Sequence, residues 1–167
     1  MNQTRKLALC GMMAALSVVV MALGAALGIG MYAAPMLAGL LLLPLKMLLG
    51  RREQLLMWLS VSILCLILIG DMEQNLMYLC LFGLYPILYP SFQKLGRGLR
   101  LLAKLLFFNL MTVAAEALVL LVLVPEPLSA GMVITLLVLG NITFLLYDRL
   151  LPLFAVILHR YLHRILK

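Results

Sequence analysis

The sequence predicts an all-α, polytopic membrane protein, a single integral membrane domain over residues 1–167. Three observations predict it. Hydrophobic residues make up 66% of the chain, mean hydropathy is +1.18 and 11% of residues are charged, whereas soluble domains are about half apolar and about a quarter charged. The apolar residues collect in runs that supply the roughly 20 helical residues needed to cross a bilayer core of about 30 Å. The 13 lysines and arginines are confined to alternate connections between those runs.

Six transmembrane helices are expected, over about residues 7–28, 31–49, 54–70, 73–90, 100–124 and 130–151. The first follows a basic start, "TRKLALCGMMAALSVVVMALGAALG", which has signal-peptide features. Its apolar run continues to about Gly28, enough to span, so it reads as a retained first helix. The second contains Pro35 and Pro44 and is expected to be kinked or broken. The fourth ends in the proline-punctuated "GLYPILYP". The tail 152–167 reads as an interfacial basic helix, with Arg160, Arg164 and Lys167 near the headgroups.

Charge sets the expected orientation. Arg5 and Lys6 precede the first helix. Lys46, Arg51 and Arg52 fill the second connection, and Lys94, Arg97, Arg100 and Lys104 the fourth. Arg149, Arg160, Arg164 and Lys167 follow or close the sixth. The connections "GIG", "GDME" and "PEPLSA" hold none. The positive-inside rule then puts both termini in the cytoplasm. The net charge of +7 forms no stripe or arm, so nucleic acid is not an expected partner. Asp148 and Arg149 read as a local charge pair or a structural link to the fourth connection.

Several classes of chemistry lack their residues. There is no HExxH, paired-glutamate protease motif or Walker A, and no clear nucleophile–base pair, so no enzyme is expected. Cys10, Cys65 and Cys80 fall inside apolar runs without metal spacing and read as packing residues. His159 and His163 stand i, i+4 without an accompanying carboxylate or cysteine, and read as a solvated face rather than a metal site. Neither Asn2-Gln3-Thr4 nor Asn141-Ile142-Thr143 lies where it would be glycosylated. No cofactor is expected.

The residue that asks for a function is Glu116, inside the apolar fifth segment. A charged carboxylate near a helix centre costs about 2.5–3.5 kcal/mol on insertion scales, so such groups usually face a bundle interior or a wet cavity. Asn109, Thr112 and Glu116, at i, i+3 and i+7, share one helix face. Asp71, Glu73, Gln74, Asn75 and Tyr78 open the fourth helix, and Ser129, Thr135 and Asn141 lie on the sixth. Together they suggest an outward-open cavity between helices four, five and six. Glu116, Thr112, Asn109, Asn75, Tyr78 and Thr135 are the expected substrate-binding residues. A buried protonated carboxyl and a proton relay are the other readings of Glu116. Gly11 and Ala15 form a small-xxx-small pair on helix one, repeated at Ala22 and Ala26 and at Ala34 and Ala38, which permits close helix approach within the chain or to a partner.

With these residues in view, the whole chain resembles the S component, the membrane-embedded substrate-binding subunit of energy-coupling factor (ECF) vitamin transporters. "RKLALCGMMAALSVVV" is similar to the typical start of that family, and "LFGLYPILYPSF" and "GNITFLLYDRLL" resemble bacterial proteins of S-component type. The resemblance implies an S-component-like bundle in a bacterial cell membrane. It would capture a small vitamin-like micronutrient from outside, in a cavity near the outer ends of helices four to six. It would work with a transmembrane coupling subunit and two cytoplasmic ATPases. Gly11 and Ala15 match the Ala-xxx-Ala pair that docks the coupling subunit there, with glycine replacing the first alanine. The chain departs from the family in its short first outer connection, "GIGMY", and in its few cavity aromatics, chiefly Tyr32 and Tyr78, Trp58 being placed away from that side. The alternative is a non-transporting scaffold of the rod-shape-determining protein D type, in which the same face would be filled by side chains.

Overall fold

The computed structural model describes residues 3–28, 30–123 and 130–165, and every regular element among them is helical. The all-α class is observed, but its division into helices differs from expectation. α1 (Gln3–Leu27) is one uninterrupted helix. The second expected span is broken into α2 (Gly30–Leu40) and α3 (Leu43–Leu48). Pro44 has no N–H to offer the carbonyl of Leu40. The Leu42 N–H turns tightly onto Gly39 O, 3.2 Å away, and the helix restarts with the proline in its first turn. α4 (Arg51–Leu68) has 18 residues and carries Arg51, Arg52 and Glu53 in its first turn.

The fourth segment is also composite. α5 (Met72–Met77) runs into a π-helical turn, Tyr78–Phe82, before α6 (Tyr85–Gln93). α7 (Arg97–Leu123) is continuous. α8 (Ala130–Ile165) continues for 36 residues, past the expected end at 151 and through Pro152. At about 1.5 Å per residue it is about 54 Å long, well beyond a bilayer core. The tail is thus a continuation of the sixth helix as far as Ile165. His159, Arg160, His163, Arg164 and Lys167 have side chains outside the described residues.

Among the described residues, four helices are long and apolar enough to cross a membrane: Lys6–Leu27, Met72–Gln93, Arg97–Leu121 and Val133–Ile157. Tyr32–Lys46 is apolar but shorter, and α4 begins with its three charges. The six expected spans therefore reduce to four helices that meet this length and composition.

The distribution of polarity is inverted relative to a water-soluble bundle. Gln54 and Gln74 are 0% exposed, whereas Leu121 is 78% and Leu7 76% exposed. Ser17, Ser62, Asn75 and Lys104 are also buried, while outward faces of α1, α4, α7 and α8 are rows of leucine, isoleucine and valine. Water would penalise so much contiguous apolar surface, but lipid does not. The chain therefore has the character of a helical membrane protein.

The interior has two main parts. α1, α2, α4 and the start of the fourth segment enclose a core around Met21, Ala38, Met57, Val61 and Tyr78. α2, α3, the rest of the fourth segment, α7 and α8 enclose an aromatic core around Phe82, Tyr85, Phe108, Phe144 and Tyr147. The small pairs part company here. Ala34 and Ala38 are buried inside the bundle, whereas Gly11, Ala15, Ala22 and Ala26 are exposed on α1.

Candidate functional site

Glu116 stands partly buried on α7, one turn beyond Thr112, whose Oγ1 is buried without a hydrogen-bond partner. Glu73, in the first turn of α5, and Tyr32, near the start of α2, are within electrostatic reach of Glu116 and of each other. Three separate elements thus bring two carboxyl groups and a phenol to one end of the bundle. Asp71 lies beside this group but has a local job: it caps α5, its Oδ1 accepting from the Gln74 N–H at 3.0 Å.

The other expected binding residues do not converge on Glu116. Asn75 is 1% exposed, and its amide donates to the carbonyls of Cys65 and Ile69 at 3.1 and 2.8 Å. It satisfies the Ile69 carbonyl just past the end of α4 and adds a second donor to Cys65 O, which already accepts from the Ile69 N–H. Tyr78 is buried in the core with α1, α2 and α4. Thr135 is exposed and donates to its own helix at Gly131 O.

Asn109 and Asn141 exchange hydrogen bonds in both directions, each 3.0 Å, and each also donates to the carbonyl four residues earlier at 2.8 Å. The result is a self-satisfied amide clasp between α7 and α8. A double-mutant cycle with Asn109→Leu and Asn141→Leu should return a coupling of about 0.6 kcal/mol, and at most about 1.7, in unfolding measured in bilayer discs. Strict additivity of the two variants would show that the amides do not act as a pair.

A second cluster lies at the other end of the bundle, where Asp148 makes the expected link to the fourth connection through Lys104, although its aromatic enclosure was not anticipated. Lys104 Nζ lies 2.6 and 2.8 Å from the two carboxylate oxygens of Asp148, and Tyr85 Oη donates to the same carboxylate. The ammonium also stands 4.8 Å from the centre of the Tyr89 ring. Tyr85 packs against Phe92, Phe107, Phe144 and Tyr147. The side chains of Lys104 and Asp148 are 6% and 14% exposed, so this ion pair is closed off by aromatic rings. The signal that would have found this enclosure is depth. Lys104 lies seven residues inside α7, too far in to be a loop charge, and Asp148 is the only acid on the facing stretch of α8.

Among the described residues no group of three or more histidines, cysteines or acids is placed to hold a metal. A shallow apolar groove on α7, lined by Leu102, Leu105, Leu106, Asn109, Leu110 and Val113, faces outward. Comparison with family models, curated proteins and solved structures returns no match. What fold and site define is the class: an all-helical membrane-type protein with Glu73 and Glu116 in electrostatic reach of each other at one end and an enclosed ion pair at the other.

Proposed function

We propose that this chain is the substrate-capturing membrane subunit of an S-component-type importer, taking up a small micronutrient and relying on a separate coupling subunit and two ATPases for energy. One observation carries the reading. Glu116, Glu73 and Tyr32 lie within electrostatic reach of one another, with the unpartnered Thr112 hydroxyl one helical turn from Glu116, and a ligand with an amine or several hydroxyl donors would find acceptors there. The basic connections lie at the opposite end, which by the positive-inside rule makes the carboxyl end the outer one. The exposed Gly11 and Ala15 suit the docking of a partner helix, since a methyl group added at Gly11 meets nothing within 4 Å.

A second reading, a scaffold that holds other membrane proteins, is favoured by a different observation. Asn75, Asn109 and Asn141 spend their amide donors on the fold itself. Affinity purification from native membranes in mild detergent separates the two. Co-purification of a coupling subunit and two ATPases supports the importer, and recovery of other membrane machinery without ATPases supports the scaffold. Under the importer reading, Glu116→Ala weakens binding of the captured ligand about tenfold to a hundredfold, the scale of one charged hydrogen bond. Unchanged affinity in a folded Glu116→Ala variant removes Glu116 from the site. Bulky residues at Gly11 and Ala15 should abolish assembly while leaving ligand binding intact.

A further inference from the structure

The π-helical turn at Tyr78–Phe82 has a consequence that extends beyond the transport reading and does not rest on it. A π turn is one extra residue accommodated in an α-helix, with hydrogen bonds reaching five residues back instead of four. Here the Gly83 N–H bonds Tyr78 O at 2.8 Å instead of Leu79 O. The carbonyl of Leu79 is met from outside, by Trp58 Nε1 of α4 at 3.2 Å. The next orphan has a different cause. Pro86 has no N–H for Phe82 O, and Tyr147 Oη of α8 donates there instead, also at 3.2 Å. Gly83 makes the first arrangement possible, because a Cβ there would come within 2.5 Å of the Trp58 ring.

The two sides of this turn are unequally satisfied. On the α6 side, Phe82 O is capped by Tyr147, and the Tyr85 hydroxyl is bound to the carboxylate of the Lys104–Asp148 pair. On the α5 side, the amide nitrogens of Gln74 and Asn75 donate to Met21 O and to Cys65 O and Ile69 O, but Gln74 Oε1, Asn75 Oδ1 and Tyr78 Oη are buried without a partner. Buried orphans of this kind are uncommon in native folds and point to a second state or an internal water. Three of the six among the described residues fall between Gln74 and Tyr78, the first residue of the π turn, the others being on Gln54 and Thr112, and this concentration favours movement of the α5 side.

The geometry points to a register switch: α5 rotates against a fixed α6 by passage of the π turn into α geometry. One residue of register is about 100° of rotation and about 1.5 Å of rise. Leu79 O regains the Gly83 N–H, and Trp58 Nε1 loses its acceptor. Glu73, on α5, swings relative to Glu116, on α7, so the end that holds both acids changes shape while the Lys104–Asp148 end stays closed.

Trp58 is the one tryptophan in the chain, so its indole N–H is a unique reporter of the hydrogen bond that the switch breaks. The experiment is 15N relaxation dispersion of that indole, with the full-length protein in bilayer discs. The expected result is a μs–ms exchange contribution in the wild type. Deletion of Cys80, which removes the extra residue, should abolish it and move the resonance to the position of the minor state. Tyr78→Phe removes one orphan from the π state without touching the backbone, and should lower the minor population about tenfold. It serves where the deletion does not fold. A flat dispersion profile in the wild type overturns the switch, and so does exchange that persists unchanged in Tyr78→Phe.

Discussion

Asp148→Ala is expected to cost about 3–5 kcal/mol of folding free energy, because it strands the Lys104 ammonium in a closed, aromatic-lined space. Unfolding in bilayer discs or a mild detergent reads this directly. The diagnostic comparison is Lys104→Met with Asp148→Leu. Removing both charges also removes both desolvation penalties, and buried ion pairs replaced by apolar side chains are often neutral or gain stability. The double variant should therefore lie near the wild type, although the Tyr85 hydroxyl loses its acceptor. If the double variant is as unstable as Asp148→Ala, the stability resides in the contact and not in the avoided stranded charge. Partial rescue by adding Tyr85→Phe would assign the remainder to the orphaned hydroxyl.

Among the described glycines, Gly39→Ala should be the most damaging. A Cβ at Gly39 would stand 2.2 Å from Phe82 O and 2.7 Å from Tyr147 Oη. The first obstacle is backbone and does not yield as a flexible side chain does. α2 must retreat from the fourth segment, opening the interface that Ala34 and Ala38 also fill. Ordinary overpacking costs about 1–3 kcal/mol, and the backbone clash puts this variant at or beyond the top of that range. Thermal unfolding of Gly39→Ala beside Gly11→Ala is the check, since Gly11 has open space around it and its variant should be close to neutral. Adding Tyr147→Phe relieves only the second clash and should rescue little. A Gly39→Ala protein with wild-type stability would mean that α2 has room to move away from Phe82.

The two predictions concern features of different legibility. Glu116 could be singled out from the chain because an ionisable group in an apolar run is costly wherever it ends up. Its neighbours could not. Asn109, Thr112 and Glu116 do share a face, yet Asn109 is turned to Asn141 across the α7–α8 boundary, since a helix face is wide enough to meet two neighbours. Asn75 was expected at a ligand site because it lies in a polar stretch, but α4 ends beside it, and its amide donates to the Ile69 and Cys65 carbonyls there. Glu73 was grouped with Glu116 around one cavity from helix order, while the electrostatic reach of Tyr32 on α2 to both acids came only from the packing. Pro44 signalled the break in the second segment. The π turn had weaker notice, because the outside hydrogen bond that meets its freed Leu79 carbonyl comes from Trp58 on another helix.

By itself, the sequence determined that this chain is helical and suited to lipid, where its apolar runs fall, and that its basic residues gather in a few groups along the chain. These follow from hydrophobic run length, from the need of a backbone in lipid to satisfy its own hydrogen bonds, and from charge distribution, all of which are local or additive. Tertiary structure alone decided which polar groups meet. It paired Lys104 with Asp148, clasped Asn109 to Asn141, buried Ala38 while leaving Ala15 exposed, and set Tyr32 within electrostatic reach of Glu73 and Glu116. Those outcomes depend on how helices distant in the chain rotate and approach. A lone buried polar atom costs free energy until a partner arrives from another helix, and the chain order does not say which partner that will be.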